Sequence, residues 1–532
     1  MKRIRSALFQ IYPPWLLLLA WAPWLAGVAI RFPLSDSRQL AIALAWIPLF
    51  TLPALWLRRP MVYRLACILF FLMGLVEIIH WVILQGPLST TSLLVIANTN
   101  LDESIDFIQL KSGMGLLIVL PYIWIFIRAL RSTISYQKTK HLTRISLLVL
   151  TFSLLFIGEN ILHHRFFRKG VPHTVKVARQ LVNQIQTYRD FLKKVRPKKV
   201  QATSALPEPC TLVLVIGESA NRNHMSLYGY SRKTTPRLDK RRDIAVFTDA
   251  VAPYSNTMSS VLAMLSSSNL DNRQPVNRTV DIIDVLHSAG FKTFWLSNQP
   301  PVGVWDNMVS AMGRKSDVVR FINTSSSSSF EATNQAAYDE NLLVPLQKAL
   351  GDTAGKKFIV LHLMGSHTAY AKRYPGAFSH FSGHNSKAHL IAQYDNSILY
   401  NDYVVDRVFS VLSGYAARHP GEEVLAMYLS DHGENVYDEG DRVGHDYSGV
   451  LPRCNVEIPL LLWTPEGRDF LYGRISDSIR RRPVVTDDLF HALIDLSRVK
   501  TPFFVPERSF VHPGFDIHRK RILEDGKDYD AR

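Results

Sequence analysis

Five long apolar runs follow one another in the first third of the chain, near residues 14–31, 39–57, 63–84, 112–130 and 144–161. About 20 apolar residues in a helix cross a bilayer core, where every backbone polar group must find its partner inside the segment. One such run reads equally well as a buried core helix. Five in series, with charged residues between them, read as membrane spans, which predicts an α-helical membrane domain over residues 1–161. Lys2, Arg3 and Arg5 precede the first run, as in a signal peptide. No small-residue cleavage site follows, and further spans do, so that run reads as an anchor.

Lysine and arginine mark the cytoplasmic loops of a membrane protein. Arg58, Arg59 and Arg64 lie around the loop between the second and third runs, and Arg128, Arg131, Lys138, Lys140 and Arg144 around the loop between the fourth and fifth. The alternate loops carry only Arg31 and Arg38, or Lys111. The N-terminus is therefore expected in the cytoplasm. An odd number of spans then puts everything after about residue 162 on the far side, the periplasm in a double-membraned bacterium. This predicts a multi-pass inner-membrane protein. The loop before the fourth run contains LLVIANTNLDESIDFI (93–108), whose spacing predicts a short amphipathic helix at the bilayer surface.

The formal net charge of +16 would point to nucleic acid in a soluble chain. Here much of the local excess lies in Arg189–Val200, where the chain leaves the membrane, so anionic lipids or phosphorylated glycans are the expected partners and nucleic acid is not. Residues 162–206 read as a basic connector at the membrane surface, ending at Pro207 and Pro209. Cysteine is sparse: Cys67 lies in a span, while Cys210 and Cys454 each precede a strand-like run, and the spacing leaves open whether they pair.

From residue 207 onward the pattern changes. TLVLVIG (211–217), AVFTDAV (245–251), TFWLSN (293–298), KFIVLHLMG (357–365), VLAMYLSD (424–431) and IPLLLWT (458–464) are short, nearly continuous apolar runs. Helical patterns alternate with them near 258–267, 279–289, 338–350 and 388–417. Buried strands alternating with helices predict an α/β domain over 207–532, its mostly parallel central sheet covered on both faces. Ligands of such folds bind outside the carboxyl ends of the strands.

Most of the chemically capable residues fall at those ends. Glu218 follows the first run and a glycine, Asp431 and His432 follow the fifth, His367 follows the fourth, and His445 lies in a stretch rich in glycine and acid. A lone carboxylate could serve as a helix N-terminal charge, and a lone histidine is more often structural. Groups at comparable topological positions point instead to a metal site, and adjacent Asp and His suit zinc. Thr257 precedes a helical pattern, where helix N–H groups stabilise an alkoxide or a phosphoryl oxygen, although threonine also caps helices. Ser255, Ser259 and Ser260 compete with it as nucleophiles, and residue chemistry alone does not choose.

Six stretches together resemble the phosphoethanolamine transferases of bacterial inner membranes, members of the alkaline phosphatase/sulfatase superfamily. They are VLVIGESANRNHMSLYGYSRKTTP (213–236), APYSNTMSSV (252–261), FKTFWLSNQ (291–299), IVLHLMGSH (359–367), YDNSILYND (394–402) and YLSDHGE (428–434). The resemblance covers nearly the whole length, from the spans to the catalytic domain. It implies Thr257 as the nucleophile that carries the phosphoethanolamine, and Glu218, Thr257, Asp431 and His432 as zinc ligands. It implies His367 and His445 as groups that contact substrate phosphate or a second zinc and shuttle protons. Asn298 and Gln299 fall in a substrate-binding stretch, and Glu103 matches an acidic residue that holds the lipid donor's ethanolamine.

The chain departs from the family where Gln299 is followed by Pro300, Pro301, Val302 and Gly303 rather than by the lysine of some relatives. Tyr254, Leu262 and Ala263 stand where lipid A-modifying relatives often carry a disulfide, so the chain is similar to the cysteine-poor branch acting on lipopolysaccharide core or periplasmic glycans. The expected reaction moves phosphoethanolamine from phosphatidylethanolamine to a hydroxyl of lipopolysaccharide, core or lipid A, or of another periplasmic glycan. A phosphoglycerol transferase using phosphatidylglycerol is the near alternative. A non-catalytic scaffold or glycan-binding sensor is the alternative of another class. A sulfatase-type hydrolase needs a Cys or Ser in a C/S-x-P-x-R context, which Thr257-Met258-Ser259-Ser260-Val261 is not.

Overall fold

The computed structural model describes residues 2–30, 38–84, 88, 119–132, 140–163, 166–192, 196–275, 278–299, 308–322, 337–445, 447, 450–465 and 476–532. The surface helix expected near 93–108, Glu103 within it, and Pro300–Gly303 lie outside these residues. The described chain divides into two compact units, with the main boundary at Gln186/Thr187.

The N-terminal unit is helical. After α1 (Lys2–Ile11) come α2 (Pro14–Ile30), α3 (Arg38–Trp56), α4 (Pro60–Leu84), α5 (Val119–Arg131) and α6 (Lys140–Leu162). Among the described residues, α3, α4 and α6 each contain a stretch long and apolar enough to cross a membrane, and α2 is a shorter apolar helix. Many of the exposed side chains of α4 and α6 are apolar, including Leu65, Leu72, Leu148, Phe152 and Leu155. That is the inverse of a soluble helix and the form a lipid-facing surface takes.

The stretch read as a basic connector is largely helical. A turn at Phe166–Gly170 leads into α7 (His173–Leu192). Its start is fixed within the helical unit: Glu77 accepts from Thr174 Oγ1 at 2.8 Å and lies 3.2 Å from His173 Nδ1, and Trp46 Nε1 donates to Gly170 O at 2.7 Å. The basic residues at its end hide an amphipathic period that begins at His173.

The C-terminal unit is built on a seven-stranded sheet. Its strands in chain order are β1 (Cys210–Gly217), β2 (Ile244–Phe247), β3 (Lys292–Ser297), β4 (Val318–Phe321), β5 (Lys356–His362), β6 (Glu423–Ser430) and β7 (Leu460–Trp463). The spatial order is β2-β7-β6-β1-β5-β3-β4. β1 pairs in parallel with β5 and β6, and β3 in parallel with β5 and β4, while β7 runs antiparallel to β6 and β2. The sheet is thus mostly parallel, as expected, with one reversed strand. β4 escapes a search for apolar runs because it is an edge strand with alternately exposed residues, and the run at 245–251 breaks into β2 and a separate Ala250–Val251 pair.

β1 is central and wholly buried, and its alternation serves two cores. Leu212, Leu214 and Ile216 pack with α8 (Thr257–Met264), α9 (Ile282–Ser288) and α11 (Leu489–Leu496). Val213 and Val215 pack with α10 (Ser386–Arg418) through Val404, Val405, Val408 and Leu412. Covering both faces excludes water from the parallel ladder and forces the polar groups to the strand ends.

Cys210 and Cys454 are both free and buried. Cys210 opens β1, whereas the carbonyl of Cys454 lies against Gly433, beyond the far end of the neighbouring β6. The length of β1, roughly 20 Å at about 3.3 Å per residue, separates them, and a disulfide needs Cα atoms within about 7 Å.

Candidate active site

Adjacent parallel strands deliver the carboxylates. Gly217 and Ser430 end β1 and β6 in register, so Glu218 and Asp431 emerge side by side, and Asp431 N donates to Gly217 O at 3.1 Å. β5 brings the following loop alongside, where Ser366 N donates to Glu218 O at 2.9 Å. Gly365 has φ +52°, and a Cβ there would stand 2.6 Å from Glu218 O, so this close approach requires glycine. Ser219 also has a positive φ, of 56°, which aims its N–H at Asp431 Oδ1 at 3.1 Å. Such strain is tolerated where the surroundings over-determine the backbone.

Thr257 is the first residue of α8, and Asn256 caps that helix by accepting from Ser259 N at 3.0 Å. Asn256, not Thr257, does the capping. The Thr257 hydroxyl instead donates to Glu218 Oε2 at 3.0 Å and lies 3.4 Å from His432 Nε2. The competing hydroxyls are partly settled: Ser255 Oγ donates to Glu524 Oε1 at 2.7 Å and Ser260 Oγ to Tyr254 O at 2.9 Å.

Glu218, Asp431 and His432 are fully buried. His432 Nε2 lies 3.2 Å from Glu218 Oε1 and 3.5 Å from Asp431 Oδ2. Its Nδ1 donates to Gly433 O at 2.8 Å, which fixes the ring so that Nε2 faces the carboxylates. Burial drives the Asp431 carboxyl up to about 7, and the Glu218 charge adds to this. Burial also pushes Glu218 up, but its hydrogen bond and charge interaction with His432, and the charge of His367, outweigh it and hold Glu218 well below the usual range. Burial disfavours the His432 cation, yet Asp431 and Glu218 raise it to about 10.

These groups fit a metal ion. One donor atom from each of Glu218, Asp431 and His432 lies within 4.8 Å of the others, and Asp431 Oδ2 is buried with no hydrogen-bond partner among the described residues. A buried carboxylate oxygen without a partner is costly, and a bound cation removes the cost. His432, Glu434 and His445 make a second cluster of the same size. Both Glu434 oxygens are already engaged, by Tyr370 OH at 2.6 Å and His445 Nδ1 at 2.9 Å, so this cluster fits an ion less well.

Glu434 is a residue the sequence reading left without a role. It is buried and orients His445, whose ring lies 4.6 Å from that of His432. His367 stands in the turn after β5, close enough to Glu218 for their charges to interact. Gln299 joins the cluster, its Nε2 reaching Glu218 Oε2 at 3.2 Å and Leu363 O at 3.0 Å. Asn298 does not. It is buried, and its amide donates to Ala337 O at 2.7 Å and Asp339 Oδ1 at 2.8 Å. Asp339 in turn accepts from Met364 N and Gly365 N, so Asn298 supports the Gly365 turn.

A family model described as Sulfatase matches residues 210–499. Phosphoethanolamine transferase EptC from Escherichia coli strain K12 is 28% identical over 527 aligned residues, covering 92% of this chain and 89% of that protein. The C-terminal periplasmic domain of Escherichia coli EptC, solved in complex with zinc, superposes with a TM-score of 0.55 at 32% identity, covering 63% of this chain and 97% of that one. The integral membrane protein lipooligosaccharide phosphoethanolamine transferase A from Neisseria meningitidis shares the fold, with a TM-score of 0.66 at 20% identity over 95% of this chain and 97% of that one.

Proposed function

The chain belongs to the sulfatase family and to its phosphoethanolamine transferase members, and from that premise we propose that it transfers phosphoethanolamine from phosphatidylethanolamine to a hydroxyl of lipopolysaccharide, in the core or lipid A, or of another periplasmic glycan. The transfer runs through a phosphoethanolamine-threonine intermediate at Thr257. The observation that carries this reading is the Thr257 hydroxyl at the start of α8, 3.0 Å from Glu218 and 3.4 Å from His432. The zinc complex of the EptC domain supports zinc as the ion that Glu218, Thr257, Asp431 and His432 would hold. Bound there, zinc would lower the pKa of the threonine hydroxyl and neutralise charge on the phosphoryl oxygens.

The residues themselves supply the rest. Glu218 orients the Thr257 hydroxyl. The bond from Thr257 Oγ1 to phosphorus forms as the bond from phosphorus to the diacylglycerol oxygen breaks, and the hydroxyl proton passes along its hydrogen bond to Glu218. The leaving oxygen takes up a proton, from His367 or from His445 held by Glu434. In the second half the acceptor hydroxyl gives up its proton, its oxygen attacks phosphorus, and Thr257 leaves with its proton restored. The N–H groups at the start of α8 favour the negative charge that develops beside them.

The test is intact-protein mass spectrometry after incubation with phosphatidylethanolamine and zinc, with no acceptor present. A mass gain of one phosphoethanolamine unit, mapped to Thr257, is the expected result. An adduct from phosphatidylglycerol alone would reassign the donor, and none from either lipid would overturn the transferase reading. The same sample with lipopolysaccharide added should lose the adduct.

A further inference from the structure

The segment after Lys500 lies beyond the residues matched to the sulfatase family, yet it reaches the nucleophile loop. Two of its carboxylates pair with cations, Asp525 with Arg532 at 2.6 Å and Asp530 with Arg521. Glu524 is different. Its Oε1 accepts from both Ser255 N at 3.0 Å and Ser255 Oγ at 2.7 Å, two residues before Thr257. Its Oε2 has no partner, and no lysine or arginine pairs with it, among the described residues.

A negative charge is a poor neighbour for phosphoryl transfer. It repels the phosphodiester, and in a half-buried position the repulsion is weakly screened. If Glu524 served only to hold Ser255, a neutral acceptor would do the same work without that cost. A carboxylate there becomes favourable when the substrate itself brings a cation. The ethanolamine ammonium does so, three bonds out from its phosphoester oxygen.

Building on the proposed transfer, we infer that Glu524 selects the donor head group: its free oxygen takes the ammonium of the phosphoethanolamine on its way to, and while carried on, Thr257. Ser255 holds the other oxygen and fixes the carboxylate relative to the nucleophile. Glu524 is thus a specificity-determining residue contributed by the C-terminal segment.

Glu524→Gln is the discriminating substitution, because a Gln oxygen still accepts both Ser255 hydrogen bonds while the charge is gone. The full chain is given vesicles of phosphatidylethanolamine or of its N-acetyl derivative, which keeps the phosphodiester but has no cation. Adduct formation on Thr257 is followed by intact mass. Wild type should prefer the cationic donor by about tenfold or more, the scale of one charge-assisted hydrogen bond. Glu524→Gln should lose most of that preference by slowing on the cationic donor alone. An unchanged preference, or equal slowing on both donors, overturns the inference. If the variant does not accumulate, equal rates with the two donors in wild type overturn it as well. Absence of any adduct in wild type overturns the transferase reading and this inference together, whereas an adduct formed without head-group preference overturns only this one.

Discussion

The two ends of the central sheet both bury charge, and they do so in opposite ways. At the amino end, Lys357 is buried and donates to Leu350 O at 2.9 Å, Asp352 O at 3.3 Å and Tyr415 OH at 2.9 Å, with Glu422 Oε1 3.6 Å away. Glu422 accepts in turn from Tyr415 OH at 2.7 Å and from Thr211 Oγ1. Within the Lys357–Glu422 pair the charges balance and the donors are used. At the carboxyl end, two buried carboxylates share one imidazole, and Asp431 Oδ2 has no hydrogen-bond partner among the described residues. Buried charge is affordable when paired. The compensated pair reads as structure, and the uncompensated cluster as one whose donors fit a cation.

The sharpest way to break that comparison is at the nucleophile. Thr257→Ala should abolish the covalent adduct and lower transfer by at least about a thousandfold, as loss of a nucleophile does. The thermal midpoint should barely move, because Asn256 rather than Thr257 caps α8. Retained adduct in that variant would remove Thr257 from its role. At the other end of the sheet the expected effect is on folding alone. Lys357→Ala strands Glu422 among buried groups and should cost about 3–5 kcal/mol, read as a large fall in the unfolding midpoint. Any folded fraction should form the adduct normally.

These two predictions mark what was legible from residues alone. Glu218, Asp431 and His432 each follow an apolar run, and Thr257 opens a helical pattern, so local order places them at the strand ends. Residue chemistry alone left Thr257 and its serine neighbours equal, and the family resemblance singled out Thr257; in the structure Ser255 and Ser260 point their hydroxyls at Glu524 and Tyr254. Glu524 is 269 residues from Ser255, and no local pattern announces such a contact. Asn298 illustrates the reverse case. It sits in a substrate-like stretch beside Gln299, yet successive residues there face different surroundings, and its side-chain NH2 donates to Ala337 and Asp339 rather than to the carboxylate cluster. The edge strand β4 and the helix α7 were hidden by half-exposed or basic residues, which mask the apolar period.

A third buried charge sharpens the comparison, because it is compensated but titratable. His224 lies between Asp395, at 2.7 Å from Nδ1, and Asp438, at 3.0 Å from Nε2. Burial disfavours its cation, but the two aspartates win and raise it from 6.5 to about 9. A raised histidine contributes stability that is full below its unfolded value and is lost as pH climbs through the folded one. Stability should therefore fall by on the order of 2–3 kcal/mol between pH 6.5 and 9.5. His224→Gln should flatten that slope in denaturant titrations across the window. An identical slope in the variant would show that the pair is not the source.

Asp431 should lose stability in the same direction as pH rises, over a lower window and for the opposite reason: here the charged form is the one the fold disfavours. Its carboxyl is raised in the fold, by burial first and the Glu218 charge second, to about 7. In metal-free protein, folding therefore favours its protonated form, and stability falls as pH rises from the ordinary carboxyl range through 7. Asp431→Asn keeps an oxygen for the Ser219 and His432 N–H groups and removes one charge. At pH 8 the metal-free variant should be more stable than metal-free wild type by on the order of 1 kcal/mol, and at pH 4 the two should match. Adding zinc should raise the wild-type midpoint and leave the variant nearly unmoved. A variant less stable than wild type at pH 8 without metal would mean that Asp431 is already compensated, and the two ends of the sheet would no longer differ in the way that separates structure from site.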